Sequence, residues 1–277
     1  MTAHGFRWTS LLRHTVLILG AAVMLLPFAY MVGTSFKSQT FVLELPPTFI
    51  PTHPTLQNYR DALTSNHFGR YFFNSAVVAL ASTAFTVFLS SLLAYAFARF
   101  EFPGRDGLFY LMLGTLMVPT LVLLIPQFVL AKDLHLLNSR LGLIVVYSAA
   151  APFNMLLLRG FFEDIPQDLI DAAVIDGAGA FKTFWDIALP LARPALAAVA
   201  IFSFLSSWDE FTWALTSITD EKLYTLPIAI RLFQQQHGTQ WGLVFAASTI
   251  AVLPTILIFV IFQRQFIHGV MSGAVKG

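Results

Sequence analysis

Cysteine is absent from the 277 residues, and only 11% of them carry a formal charge. The first absence excludes disulfides, Cys-ligated zinc, iron–sulfur clusters and thiol catalysis together. The second concerns the surface. A soluble domain is about a quarter charged, so this chain has too few charges to coat a body of its size in water. Charge of one sign is missing too. The net charge is +1, from 16 Lys and Arg against 15 Asp and Glu, which leaves no basic face for nucleic acid and no acidic tail. What the chain has in abundance is apolar. Hydrophobic residues make up 57%, 28 positions are Phe, and the mean hydropathy is +0.72. Such a composition excludes disorder and leaves an integral membrane protein, all-α provided the apolar residues come in helix-length blocks.

A helix needs about 20 mainly apolar residues to cross a ~30 Å hydrocarbon core. Uncharged runs of that kind predict six spans, at about 16–36, 74–97, 107–131, 141–158, 188–211 and 243–262. The first is read as a retained helix: it is too long for a signal core, and no small-residue cleavage site follows it. The connecting segments are short, which predicts one membrane domain over 1–277 without a soluble catalytic domain. Nine positive side chains against seven favour both termini inside, a weak bias. Pro119 and Pro126 fall within the third span, where each removes a backbone donor. A bent or broken third span is expected, and the two prolines are a candidate hinge.

Asp209 and Glu210 interrupt the fifth span, flanked by Trp208 and Trp213. Intramembrane carboxylates mark a path, and indole faces suit sugar rings. The same four residues also fit an outer interface with Trp anchors. Asn74 and Asn154 are further path candidates that equally suit helix bridging. An intramembrane hydrolase is disfavoured, because none of the seven His is followed by Glu and none lies mid-span. No Gly-x-x-x-x-Gly-Lys-Ser/Thr loop occurs, so nucleotide hydrolysis by this chain is not expected.

The most informative stretch runs from Glu163 to Leu191 and holds six of the 15 acids. Pro166 suits a helix first turn, Asp164 and Asp168 suit the positive end of its dipole, and Gly177 suits a C-cap. A second short helix carries Phe181, Phe184 and Trp185 toward Pro190. This predicts a surface helix–turn–helix between spans 4 and 5, at about 163–189. Pattern alone also fits an amphipathic interfacial linker.

The motif Asp171–Ala172–Ala173, three residues, Gly177, then Leu189–Pro190 resembles the EAA coupling loop of permease subunits in carbohydrate ABC importers, with Asp171 standing where the family has Glu. The resemblance extends over nearly the whole chain. It includes Asn74–Ser75, Ala94–Tyr95–Ala96–Phe97–Ala98–Arg99, Leu136–Leu137–Asn138, Trp208–Asp209–Glu210–Phe211 and the ending around Gln263–Arg264–Gln265–Phe266, which is similar to the maltose-type second permease. It implies half of a translocation pathway for a sugar or oligosaccharide, and no enzyme. It implies a cytoplasmic ATPase contact through Asp171, Ala172, Ala173, Asp176, Gly177, Ala178, Phe181 and Pro190, and a tail toward the ATPase at Arg264 and Phe266. The implied partners are a second permease subunit, an ATP-binding subunit dimer, an extracytoplasmic substrate-binding protein and membrane lipid. ATP and Mg would bind the partner, and this chain would hold no cofactor or metal. The implied location is the bacterial or archaeal cytoplasmic membrane, with both termini cytoplasmic. Close relatives importing glycerol phosphate or a glycerophosphodiester leave that substrate class open. An ion-coupled secondary transporter is the remaining alternative.

Overall fold

The computed structural model describes residues 8–38, 46–64, 67–234 and 239–274, and the regular structure among them is entirely helical. The first helix, α1 (Trp8–Ser35), tolerates Pro27 within it. A short α2 (Gln57–Thr64) precedes α3 (Phe68–Arg99), a 32-residue helix that outruns its expected span at both ends.

The expected third span is not one helix. It is α4 (Arg105–Thr115) and α5 (Leu124–Asp133), 11 and 10 residues long. The reason lies in the prolines. α4 ends at Thr115, the residue whose carbonyl would need a donor from position 119, and proline has none. Pro126 falls in the first turn of α5, where a missing N–H leaves no bond unmade. Residues 116–124 are held by turn bonds such as Met117 N–H to Gly114 O at 3.1 Å and Val122 N–H to Pro119 O at 3.0 Å.

The fourth span is longer than expected. α6 (Arg140–Tyr147), opened by Ser139 accepting the Gly142 N–H at 3.0 Å, passes through a 3₁₀ turn (Ser148–Ala150) into α7 (Ala151–Glu163). Pro152 cannot serve the Ser148 carbonyl, and the tighter turn absorbs that loss. Then come α8 (Gln167–Ile175), α9 (Ala180–Thr183), a π turn (Phe184–Ala188) and α10 (Leu189–Leu191). The chain then bends by 81° into α11 (Arg193–Trp208). Pro194 offers no N–H to the Pro190 carbonyl, so the helical ladder breaks between them. The expected fifth span at 188–211 therefore starts across a bend and stops at Trp208. Two short helices, α12 (Thr212–Ser217) and α13 (Leu226–Phe233), lead to α14 (Trp241–Ala274), which continues well past the expected end at 262.

Four segments are long and apolar enough to cross a membrane, at 10–35, 68–99, 140–163 and 241–263, and the bent pair makes a fifth. Of the six expected spans, the third has no single long helix to match it among the described residues, and the α4–α5 pair takes its place.

The chain forms two compact units. One comprises residues up to Phe68 together with Ile230–Val252. Here the end of α1 is pinned: Asn58 donates to Ser35 O at 2.9 Å and Lys37 O at 2.6 Å, and the Ser35 and Tyr59 hydroxyls meet at 2.7 Å. Gly33 approaches the Phe49 carbonyl so closely that a Cβ would sit 1.9 Å from it.

The other unit comprises Gly69–Ala229 and Leu253 onward. Its apolar clusters gather around α3. One holds Tyr95, Phe97, Met155, Leu158, Phe162 and Phe184; the other holds Val78, Leu143, Trp213, Ile218 and Ile228. Small residues at Ser75, Ala79, Ser82, Thr86, Ser90 and Ala94 form a buried stripe along α3, which lets neighbouring helices come close. Ser82 and Ser90 donate to carbonyls four residues back, at 2.7 and 2.5 Å, so their hydroxyls are satisfied without water.

Candidate functional site

Two places gather the residues that the sequence points to, and they differ in character. The first is the helix–turn–helix of α8 and α9. Gly177 has φ +81°. Its N–H bonds Val174 O at 3.0 Å, and the Ala178 N–H bonds Ala173 O at 2.9 Å, closing α8 with a left-handed C-cap. A Cβ on Gly177 would meet nothing within 4 Å, so backbone conformation alone requires glycine there.

This turn separates two faces. Ile170, Phe184 and Ala188 face inward and lie among Tyr95, Phe162 and their neighbours, and Ala173 is buried as well. Outward stand Ile175, 85% exposed, Phe181, 66%, and Val174, 60%, with Trp185 stacked on Phe181 at 6.1 Å. Exposed large apolar side chains gathered on one short loop mark a surface that meets protein or membrane. Asp171, Ala172, Asp176 and Gly177 share the exposed side, Ala178 and Pro190 are half-buried, and Ala173 is turned in. Asp171 accepts from Gln167 Nε2 at 2.9 Å, one turn away on α8.

The second place is the break between α11 and α12, and it divides the two acids. Glu210 is tied down: it accepts from Tyr147 Oη at 2.8 Å and from the backbone N–H groups of Trp213 at 2.7 Å and Ala214 at 3.1 Å. Its charge thus serves the positive end of α12. Asp209 is exposed. Trp208 is buried, stacked on Phe204 at 5.5 Å and edge-on to Phe72 at 5.5 Å, and Trp213 is buried in an apolar cluster. Neither indole presents a face to a ligand.

The asparagines are also enclosed. Asn74 donates to Lys222 O and Tyr224 O, both at 2.9 Å, and accepts from Arg140 Nε at 3.0 Å. Ser75 accepts the Leu226 N–H at 2.8 Å, and Asn138, in a left-handed conformation, accepts from Thr219 and Asp220. Together they pin the segment 218–226. Asn154 spans from α7 to Ser203 of α11 at 3.3 Å. Tyr147 and Arg140 are partners that no motif singles out, because each acts on a residue more than 60 positions away.

Pro119 and Pro126 are exposed at the α4–α5 break. Arg264 and Phe266 lie on α14, with side chains outside the described residues, and the last three residues lie outside them altogether. Among the described residues no group of three or more His, Asp or Glu is arranged to hold a metal ion.

Comparison with known proteins agrees with this architecture. Residues 87–271 match the family described as binding-protein-dependent transport system inner membrane component. The chain is 37% identical to a diacetylchitobiose uptake system permease of Streptomyces coelicolor, over 95% of this chain and 88% of that one. It is 37% identical to a trehalose/maltose transport system permease of Thermococcus litoralis, over 96% and 98%. It is 34% identical to an sn-glycerol-3-phosphate transport system permease of Yersinia enterocolitica, over 94% and 95%. Among solved structures, a chain of a bacterial ABC transporter involved in the import of the acidic polysaccharide alginate superposes with a TM-score of 0.80 at 22% identity, covering 96% of this chain and 99% of that one. The chain belongs to the inner membrane components of binding-protein-dependent transport systems, the permease subunits of ABC importers.

Proposed function

We propose that this permease forms half of the translocation pathway for a sugar or oligosaccharide, and that its α8–α9 turn is the element through which a separate ATPase drives it. The observation that carries the second part is the exposed apolar face of Val174, Ile175 and Phe181 around a glycine-closed turn. An ATPase that covers it is the partner proposed for this face. With an ATPase as that partner, the turn lies in the cytoplasm, and both termini lie there with it. ATP and Mg bind the ATPase, and this chain holds no cofactor. The α4–α5 pair crosses as a broken sixth span. A second permease subunit and an extracytoplasmic binding protein complete the assembly, the latter meeting the segment 218–226 that Asn74, Ser75 and Asn138 hold.

For the substrate, the diacetylchitobiose and trehalose/maltose relatives support a neutral carbohydrate. The glycerol-phosphate relative supports the alternative, an anionic glycerol ester. Local charge favours the carbohydrate. Asp209 stands exposed at the α11–α12 break, where a carboxylate would repel a phosphate and accept hydroxyl hydrogen bonds. Of the path candidates it is the one with an open face. The test is uptake by the whole complex in proteoliposomes, with the cognate binding protein and ATP, comparing labelled maltose, diacetylchitobiose and glycerol 3-phosphate. ATP-dependent accumulation of a sugar is expected. Uptake without ATP would overturn the importer mechanism, and accumulation of glycerol 3-phosphate alone would overturn the substrate class.

A further inference from the structure

Arg99 is the last residue of α3, yet each of its side-chain hydrogen bonds reaches across more than 60 residues of sequence. Its Nη2 donates to Phe162 O at 2.5 Å and also to Ile165 O. Nη1 donates to Gln167 Oε1 at 2.9 Å. The first acceptor lies in the last turn of α7 and the second two residues past its end, where carbonyls lack helical partners and a cation is favoured. The third belongs to the opening residue of α8. Gln167 in turn donates through Nε2 to Asp171 Oδ1 at 2.9 Å. A continuous polar chain thus runs from the end of α3 through Arg99 and Gln167 to the acid in the middle of α8. One turn earlier on α3, Tyr95 packs edge-on to Phe162 at 5.6 Å and tilted on Phe184 at 5.1 Å, so apolar contact reinforces the same joint on both sides of the turn.

We infer that Arg99 is a positioning residue that locks α8 to α3, so that displacement of α8 carries this long helix with it. This rests on the assignment of α8 as the ATPase-driven element. Chain connectivity alone would transmit motion from α8 only to its neighbours in sequence, α7 and α9. The guanidinium adds a polar output, beside the apolar cluster that Ile170 shares with Tyr95, into a helix separated from α8 by the whole of α4 to α7. Its planar fork suits this role, because an ammonium is a point charge that does not hold three acceptors in fixed geometry.

The absence of cysteine from this chain allows a direct test in the assembled complex with a cysteine-free ATPase and second subunit. Spin labels are placed at Phe88→Cys on α3 and Asp168→Cys on α8, and their separation is measured by pulsed electron resonance without nucleotide and with ATP and vanadate. With Arg99 intact, one separation is expected in both states, because the two helices move as a body. In Arg99→Ala the nucleotide should change the separation by an amount on the order of 5 Å, about one helical turn. Gln167→Ala, which leaves the α7 contacts of Arg99 intact, should show the same change to a smaller extent. Arg99→Lys should restore assembly without restoring the constant separation. A purely structural role predicts lower yield with unchanged separations. If Arg99→Ala does not assemble, Gln167→Ala decides. A separation that moves in the unmodified complex, or one that stays constant in Gln167→Ala, overturns the inference. A complex whose ATPase binds nucleotide without displacing any label on α8 instead removes the assignment of α8 on which it rests.

Discussion

At the scale of single residues, glycine and asparagine do more positioning here than the charged groups that first attract notice. Gly177 is required for its backbone, since its Cβ direction is open and its φ is +81°. A branched side chain in that conformation costs about 1–2 kcal/mol, whereas Asn visits it readily. Gly177→Val is therefore expected to lose stimulation of ATP hydrolysis by loaded binding protein, and Gly177→Asn to retain most of it; equal activity in the two would refute a backbone role. Asn74 makes the opposite kind of contribution, through its side chain. Asn74→Ala would remove three part-buried hydrogen bonds, to two carbonyls and from the Arg140 Nε, at roughly 0.5–1.5 kcal/mol each. Its complex should melt at clearly lower temperature. Asn154→Ala, which gives up two bonds of 3.3 Å, should lower the midpoint less, and differential scanning fluorimetry of the two variants compares them.

At the scale of elements, what could be read from the sequence depended on whether the cause was local. Long uncharged runs made α1, α3 and α14 legible, because membrane insertion sums hydropathy over about 20 residues. Pro119 and Pro126 made the break of the third span legible, because each proline acts within one turn. The 81° bend before α11 escaped hydropathy, which averages straight through Pro190 and Pro194. Glu210 was visible as a charge in an apolar span, but its use was not: Tyr147, which fixes it, lies 63 positions earlier. The α8–α9 turn showed itself through Asp171, Ala172, Ala173 and Gly177, while the inward rotation of Ala173 required the fold. For the third span a prediction follows. Pro119→Ala supplies the donor that lets α4 continue past Thr115, and removes a residue about 3 kcal/mol worse than Ala in a helix interior. The variant complex should be no less stable than the wild type and should transport more slowly. Unchanged uptake would show that the break serves no moving part.

For the whole molecule, orientation is the property most open to measurement. Single cysteines introduced by Asp176→Cys and Asp220→Cys have no native thiol of this chain to compete with them. In right-side-out vesicles, a membrane-impermeant maleimide should label position 220 and leave 176 untouched; the reverse pattern would invert the topology. The turn-bonded stretch between α4 and α5 bears on the same question from another side. Its backbone polar groups lack a helical ladder, and its side chains, such as Met117 at 85% exposure, stand clear of the rest of the chain. Hydrocarbon does not solvate backbone of that kind. With the α4–α5 pair crossing as proposed, the annulus of lipid around this subunit would have a gap there, filled by water or by another protein. A copy synthesised in excess of its assembly would present that gap to the bilayer uncovered, and membrane quality control would meet it as a chain that had not finished folding.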